Sequence, residues 1–161
     1  STILEPYNFN RKIIGFDTFE GFRSLSVNDD DKLSKTDFSD TDFNKLNEVS
    51  SFEALNRAVS HIQKIELVKG DATKTIPKYA EENPHLIIAL LYLDFDIYEP
   101  TKTALDFLLP LVPKGGIVGF DEINSKKWVG ETIALKETIR LGDVELRKFS
   151  YSPWESYFVV D

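Results

Sequence analysis

The stretch "LIIALLYLDFDIYEP" (residues 86–100) decides the fold of this chain. Eight uncharged, largely apolar residues lead into Asp94 and Asp96, two acids separated by one residue. A run that is apolar on both faces is typical of a central strand in a parallel sheet, so we predict a buried strand over residues 86–94. Pro100 is suited to the first turn of a helix, which we predict over residues 99–112. A strand that leads directly into a helix indicates an α/β protein.

The same alternation of strand and helix extends in both directions from this stretch. We predict strands over 12–17, 64–71 and 115–122 and helices over 50–63, 74–84 and 130–140. Ser50 or Ser51 should cap the helix over 50–63, in which Phe52, Leu55, Val59 and Ile62 share one face. The polar segment before it reads as a long surface loop. Two final strands, 143–150 and 155–161, should form an antiparallel hairpin at one edge of a mostly parallel, Rossmann-like sheet within a single domain over residues 1–161.

Composition excludes several classes of function. The net charge of −8 argues against nucleic acid or an anionic membrane as the main partner. The sequence has no cysteine, which excludes disulfides and thiolate chemistry, and its two histidines argue against a histidine-rich zinc site. No apolar run approaches the length of a membrane span, so a cytoplasmic location is expected. Self-association into a homo-oligomer stays open.

Acidic residues follow the ends of four predicted strands. In an open parallel sheet the carboxyl ends of the strands share one edge, and ligands bind there. A carboxylate at a strand end can hold ribose hydroxyls. Carboxylates from adjacent strands can bind a hard divalent cation such as Mg²⁺. The four strand ends carry Asp17, Asp71, Asp94 and the pair Asp121 and Glu122.

Structural roles are the alternative for some of these acids. An Asp before a helix is commonly its N-cap, which would account for Asp71 before the helix over 74–84 and for Asp96 before the helix over 99–112. The run Asp29–Asp31 is expected to be a solvated part of the loop rather than a second metal site.

Four segments together resemble one enzyme family. They are "GFDTFEGF" (15–22), "LVKGDATKTIP" (67–77), "LLYLDFDIYEPTKTALDFLLPLVPKGGIVGFDE" (90–122) and "GETIALKE" (130–137). In order and spacing they resemble the macrocin O-methyltransferase (TylF-like) family. These are class I enzymes that use S-adenosylmethionine to methylate sugar hydroxyls of antibiotics and related glycosides. The resemblance implies an enzyme with a sugar or glycosylated small molecule as its substrate.

The resemblance also implies roles for individual residues. Asp17 would bind the cofactor ribose. Three acids would hold Mg²⁺ as a metal triad, although the family often shows two aspartates where this chain has Asp121 and Glu122. Either Asp94 or Asp96 would be the catalytic base. The remaining cofactor-binding residues would be Thr18, Phe19, Gly70, Asp71 and Ala72. The metal triad would be Asp94, Asp121 and Glu122. Tyr98 and Trp128 would line the acceptor pocket, unless these two are core or rim aromatics.

One part of the family pattern has no counterpart in the sequence. The first strand of the class I methyltransferase sheet, with its glycine-rich turn, is missing, so we expect an N-terminally incomplete domain that binds the cofactor poorly. Two alternatives therefore stay open. One is a non-catalytic acidic binding module of the same fold. The other is a Mg²⁺-dependent phosphoryl-transfer or receiver-like domain, for which the sequence offers no G-x-x-x-x-G-K-[ST] motif.

Overall fold

A computed structural model describes residues 7–8, 10–23, 25–34, 40–57 and 59–161. Over these residues strands and helices alternate until the C-terminal hairpin, as predicted. The strands are β1 (Ile13–Asp17), β2 (Ile65–Lys69), β3 (Leu90–Leu93), β4 (Ile117–Phe120), β5 (Arg147–Lys148) and β6 (Ser156–Val159). The α-helices are α1 (Phe43–Leu55), α2 (Ala72–Glu82), α3 (Tyr98–Leu108) and α4 (Val129–Thr138), with short 3₁₀ segments at Leu109–Leu111 and Leu141–Asp143.

The strands form two sheets. β1 and β2 are a parallel pair, and the second sheet has the order β3-β4-β6-β5. In the second sheet β3 and β4 are parallel, while β6 runs antiparallel to both of its neighbours. The predicted antiparallel edge hairpin is therefore present. Among the described residues no strand pairs with both β1 and β3, so the two sheets are not joined by backbone hydrogen bonds.

The core lies between the larger sheet and three helices. α3 contacts both α2 and α4, and this layer covers one face of the sheet. Leu91 and Leu93 point into this core, whereas Leu90 and Tyr92 on the opposite face are 59% and 47% exposed. The expectation that the strand is buried on both faces is therefore wrong for the described residues. Because successive side chains of a strand point to opposite faces, only the helix-covered face is buried.

The first helix differs most from its prediction. It begins at Phe43 rather than at residue 50, because Asp42 caps it by accepting hydrogen bonds from the N–H groups of Asn44 and Lys45. The predicted caps Ser50 and Ser51 lie inside the helix, where their hydroxyls donate to carbonyls four residues earlier. The helix ends at Leu55, so most of the predicted stretch beyond it is not helical, and position 58 is outside the described residues.

The predicted apolar face of this helix is not buried either. No residue of α1 is buried, and Phe52 and Leu55 are 65% and 73% exposed. In the described part of the chain, no helix is both long and apolar enough to cross a membrane.

Candidate functional site

A cavity lies at the carboxyl ends of β1 and β3, between the two sheets. Its volume is about 150 Å³, below the roughly 300–1,000 Å³ of sites that enclose a small ligand. Asp17 and Asp71 line one side, and Asp94 and Asp96 line the other. The structure therefore brings four predicted acids to one edge, as expected for parallel strands. Other lining residues include Thr18, Phe22, Arg23, Ala72, Phe95 and Pro100.

The turn after β1 is fixed by its own side chains. Asp17 accepts a hydrogen bond of 2.7 Å from the N–H of Phe19, and the Thr18 hydroxyl donates to the carbonyl of Gly21 at 2.6 Å. Phe19 has a positive φ of 56° and is buried, with its ring edge-on to Phe43 of α1 at 5.1 Å. Asp17 and Thr18 therefore line the cavity, whereas Phe19 is not among its lining residues.

The turn after β2 joins the same edge. Gly70 has a φ of 143°, which favours glycine, and its N–H donates to the carbonyl of Asp17 at 2.9 Å. Asp71 is the N-cap of α2, because one carboxylate oxygen accepts from both the N–H and the hydroxyl of Thr73. The capping role considered for Asp71 is therefore present, and the residue lines the cavity as well.

The acidic segment after β3 is a sharp turn rather than an extended strand. Asp96 has a φ of 63°, and the N–H of Ile97 donates to the carbonyl of Phe95 at 2.6 Å. Asp96 does not cap α3. The cap position is Ile97, and the N–H of Tyr98 donates to the carboxylate of Asp29, which belongs to the loop between β1 and α1. The alternative that Asp96 is only a helix cap is thus wrong. A left-handed turn, not strand alternation, brings it to the cavity beside Asp94.

Burial and neighbouring acids raise the pKa values at this edge. Burial raises the pKa of Asp94, and the charges of Asp121 and Asp17 raise it further. Burial, followed by the charges of Asp94 and Glu122, raises the pKa of Asp96 to about 7. Burial and then Asp121 also raise the pKa of Glu122. The carboxylates that follow β3 and β4 therefore repel one another, and a bound cation would relieve this repulsion.

Two functional candidates at this edge were missed from the sequence. Tyr92 is partly exposed and donates a hydrogen bond of 2.5 Å to Asp121; partial desolvation, followed by this carboxylate, raises its pKa. Glu131 of α4 is fully buried and accepts from the N–H of Glu122 at 3.3 Å. The sequence signal for the burial of Glu131 was its position on the helix, because it shares a face with the buried residues Ala134 and Leu135.

The predicted metal residues are close together but do not form a complete metal site as they stand. Among the described residues, no three acidic or histidine side chains are arranged to hold a metal ion. Two carboxylate oxygens here are nevertheless buried and lack a hydrogen-bond partner, one on Glu122 and one on Glu131. Mg²⁺ is bound through carboxylate oxygens, so the unpartnered oxygen of Glu122 makes these residues chemically suited to this ion.

The two predicted acceptor-pocket aromatics have structural contacts. The hydroxyl of Tyr98 donates to Glu137 of α4 at 2.5 Å, and this bond raises its pKa to about 12. Trp128 is buried, and its ring lies edge-on to Phe22 with 6.4 Å between centroids. Neither lines the cavity, so their predicted contact with the acceptor stays a prediction.

The fold and the acidic carboxyl edge define a class I methyltransferase-type α/β domain. Structures of this class superpose on nearly the whole chain. The calicheamicin methyltransferase CalS11 is 38% identical with a TM-score of 0.91, over 98% of this chain and 63% of CalS11. The apo structure of CalS11, described as a TDP-rhamnose 3'-O-methyltransferase, gives 36% and 0.79 over 98% and 61% of the two chains.

A further structure shows the fold alone, and a family profile gives the assignment. The O-methyltransferase NovP is 19% identical with a TM-score of 0.69, over 94% of this chain and 60% of NovP. The profile described as macrocin-O-methyltransferase (TylF) matches residues 2–138. The chain belongs to this family, which confirms the sequence prediction, and it spans less than two thirds of the length of these solved structures. A search of curated proteins returned no significant match.

Proposed function

We propose that this chain forms the cofactor-binding and catalytic edge of an S-adenosylmethionine-dependent O-methyltransferase that acts on a sugar hydroxyl with the help of Mg²⁺. The observation that carries the proposal is the cavity, which joins the acids after β1 and β2 to the acids after β3. The family and the 38% identity to CalS11 support the same chemistry.

The two sides of the cavity suggest a division of roles. Asp17, with Thr18 beside it, would hold the ribose hydroxyls, and Asp71 with Ala72 would contact the adenine. Phe19 and Gly70 were predicted to bind the cofactor, but neither lines the cavity, and their backbone conformations suggest that they would instead shape these turns. When bound, S-adenosylmethionine supplies a methyl group on a positively charged sulfur.

Asp96 is the better supported candidate for the base. The acceptor hydroxyl loses its proton as its oxygen forms a bond to the methyl carbon, and the carbon–sulfur bond breaks with its electron pair left on sulfur. Asp96 lines the cavity beside Asp94, and burial, the main cause of its raised pKa, would persist when a cation neutralises the neighbouring acids, so its carboxylate is a better proton acceptor than an exposed one. Asp96 would take this proton, and Asp94 would be a ligand of the metal ion rather than the base.

Asp94, Asp121 and Glu122 would hold the metal ion, with the unpartnered oxygen of Glu122 as one donor. Mg²⁺ would lower the pKa of the acceptor hydroxyl by stabilising the alkoxide. Tyr92 would keep the Asp121 carboxylate oriented through its 2.5 Å hydrogen bond.

The test compares Asp94→Asn and Asp96→Asn with the wild type in the full-length protein, with TDP-rhamnose as the first acceptor probe. Asp96→Asn should lose methyl transfer by at least about 100-fold, because base catalysis typically contributes that much or more. Asp94→Asn should also lose methyl transfer, because it removes a ligand of the metal ion. The affinity for S-adenosylhomocysteine, measured by calorimetry, should stay within a few-fold.

Three outcomes would count against parts of the proposal. If Asp96→Asn turns over at the wild-type rate, the assignment of the base is wrong. Methyl transfer that persists after the divalent ion is chelated would show that the metal ion has no role in the reaction. Cofactor binding without transfer to any sugar nucleotide would favour the non-catalytic binding module.

A further inference from the structure

The loop between β1 and α1 is attached to the catalytic edge through Asp29. This side chain is 8% exposed, although it belongs to a run of three aspartates in a polar loop. One carboxylate oxygen accepts from the N–H of Ser26 at 2.7 Å, within the loop. The other accepts from the N–H of Tyr98 at 2.7 Å, the first residue of α3. Asp29 was expected to be solvated, and this expectation is wrong.

The bond to Tyr98 supplies what α3 lacks locally. The first N–H groups of a helix have no partner within the helix, and a side chain at the cap position normally accepts one of them. The cap position of α3 is Ile97, which has no side-chain acceptor. A carboxylate at this end is also favoured by the helix dipole. Asp29 therefore caps α3 from 69 positions earlier in the chain.

The start of α4 is shaped to accept this contact. A Cβ atom built on Gly130 would lie 2.2 Å from the Asp29 carboxylate and 2.5 Å from the Tyr98 nitrogen. Any larger residue would therefore displace the carboxylate or the start of α3. Three segments distant in sequence meet at this point, namely the loop, α3 and α4.

The segments joined by Asp29 also form the walls of the cavity. The first part of the same loop contributes Phe22 and Arg23 to the lining, and the turn that precedes α3 contributes Asp96 and Ile97. Resting on the function proposed above, we propose that Asp29 is a positioning residue for methyl transfer. It holds the loop against the cofactor cavity and fixes the turn that carries Asp96.

The test uses Asp29→Ala and Asp29→Asn in the full-length protein, with Asp31→Ala as the matched control, because Asp31 is an exposed acid of the same loop. Hydrogen exchange is followed in peptides that cover residues 25–34 and 97–101. Asp29→Ala should speed exchange in both segments by about tenfold or more, since two N–H groups lose their acceptor. Asp29→Asn keeps one acceptor oxygen and should be intermediate, and Asp31→Ala should match the wild type.

The second readout is the affinity for S-adenosylhomocysteine, measured by calorimetry below the unfolding temperature. It should fall by about tenfold in Asp29→Ala, as expected when a pre-organised wall is lost. Gly130→Ala, which displaces the carboxylate from the other side, should give the same two changes if Asp29→Ala does not fold.

The outcomes separate this inference from the proposed function. Unchanged affinity in Asp29→Ala, whatever the change in melting temperature or exchange, would show a purely structural cap and would overturn the positioning role. If the wild type does not bind S-adenosylhomocysteine at all, the proposed function is wrong and the positioning role falls with it. The exchange of the two segments would still show whether Asp29 joins them.

Discussion

Glu131→Gln should change how the stability of the protein depends on pH. Glu131 is fully buried, one of its oxygens has no hydrogen-bond partner among the described residues, and the other accepts from the N–H of Glu122. Burial is the main reason that its pKa is raised from 4.5 to about 8, and the charges of Asp96, Asp121 and Asp94 add to the effect. The folded protein therefore keeps Glu131 protonated at neutral pH.

The sign of the effect follows from proton binding. Between the unfolded pKa of 4.5 and the folded pKa of about 8, the folded state binds a proton that the unfolded state has released. The stability provided by this group is complete below pH 4.5 and is lost as the pH rises through the folded value. At pH 7 the loss relative to pH 4.5 is about 3 kcal/mol, because each pH unit in this window is worth about 1.4 kcal/mol.

The assay is urea unfolding at several pH values from 5 to 8, with a chelator present so that no divalent ion contributes. Glutamine has the same shape, keeps an oxygen acceptor for the Glu122 N–H and does not titrate. The free energy of unfolding of the wild type should therefore fall relative to Glu131→Gln by about 3 kcal/mol over this range. The control Glu81→Gln, at an exposed position, should run parallel to the wild type. If the free energy of unfolding of Glu131→Gln depends on pH in the same way as that of the wild type, the reasoning is refuted.

Two further predictions concern packing. Gly119→Ala should destabilise the protein by about 1–3 kcal/mol, because the new Cβ would lie 2.9 Å from the Tyr92 ring. Gly142→Ala, with nothing within 4 Å, should be neutral or stabilising by up to about 1 kcal/mol in the same urea experiment. Ile76→Ala should cost about 2–5 kcal/mol because the side chain is 0% exposed, whereas Ile87→Ala, at 76% exposure, should change thermal unfolding little. Equal effects of the two glycine variants, or equal effects of the two isoleucine variants, would contradict the observed packing.

Local signals in the sequence were sufficient for much of the fold. An apolar run that ends in an acid marks each parallel strand, and the Asp71 cap marks the start of α2. The start of α1 was misplaced because Ser50 and Ser51 look like caps, whereas Asp42 performs this role and the serines bond back to the helix. Several residues could cap the helix, and sequence alone did not distinguish which of them actually does.

The sequence by itself determined the family and the acids at the strand ends, because parallel strands necessarily bring their carboxyl ends to one edge. Only the tertiary structure decided what each acid does there. Asp96 reaches the cavity through a left-handed turn, and Asp29 is buried as the cap of a helix 69 positions away. Glu131 is held neutral by burial. These roles depend on contacts between distant segments and on exclusion of water, neither of which a local pattern encodes.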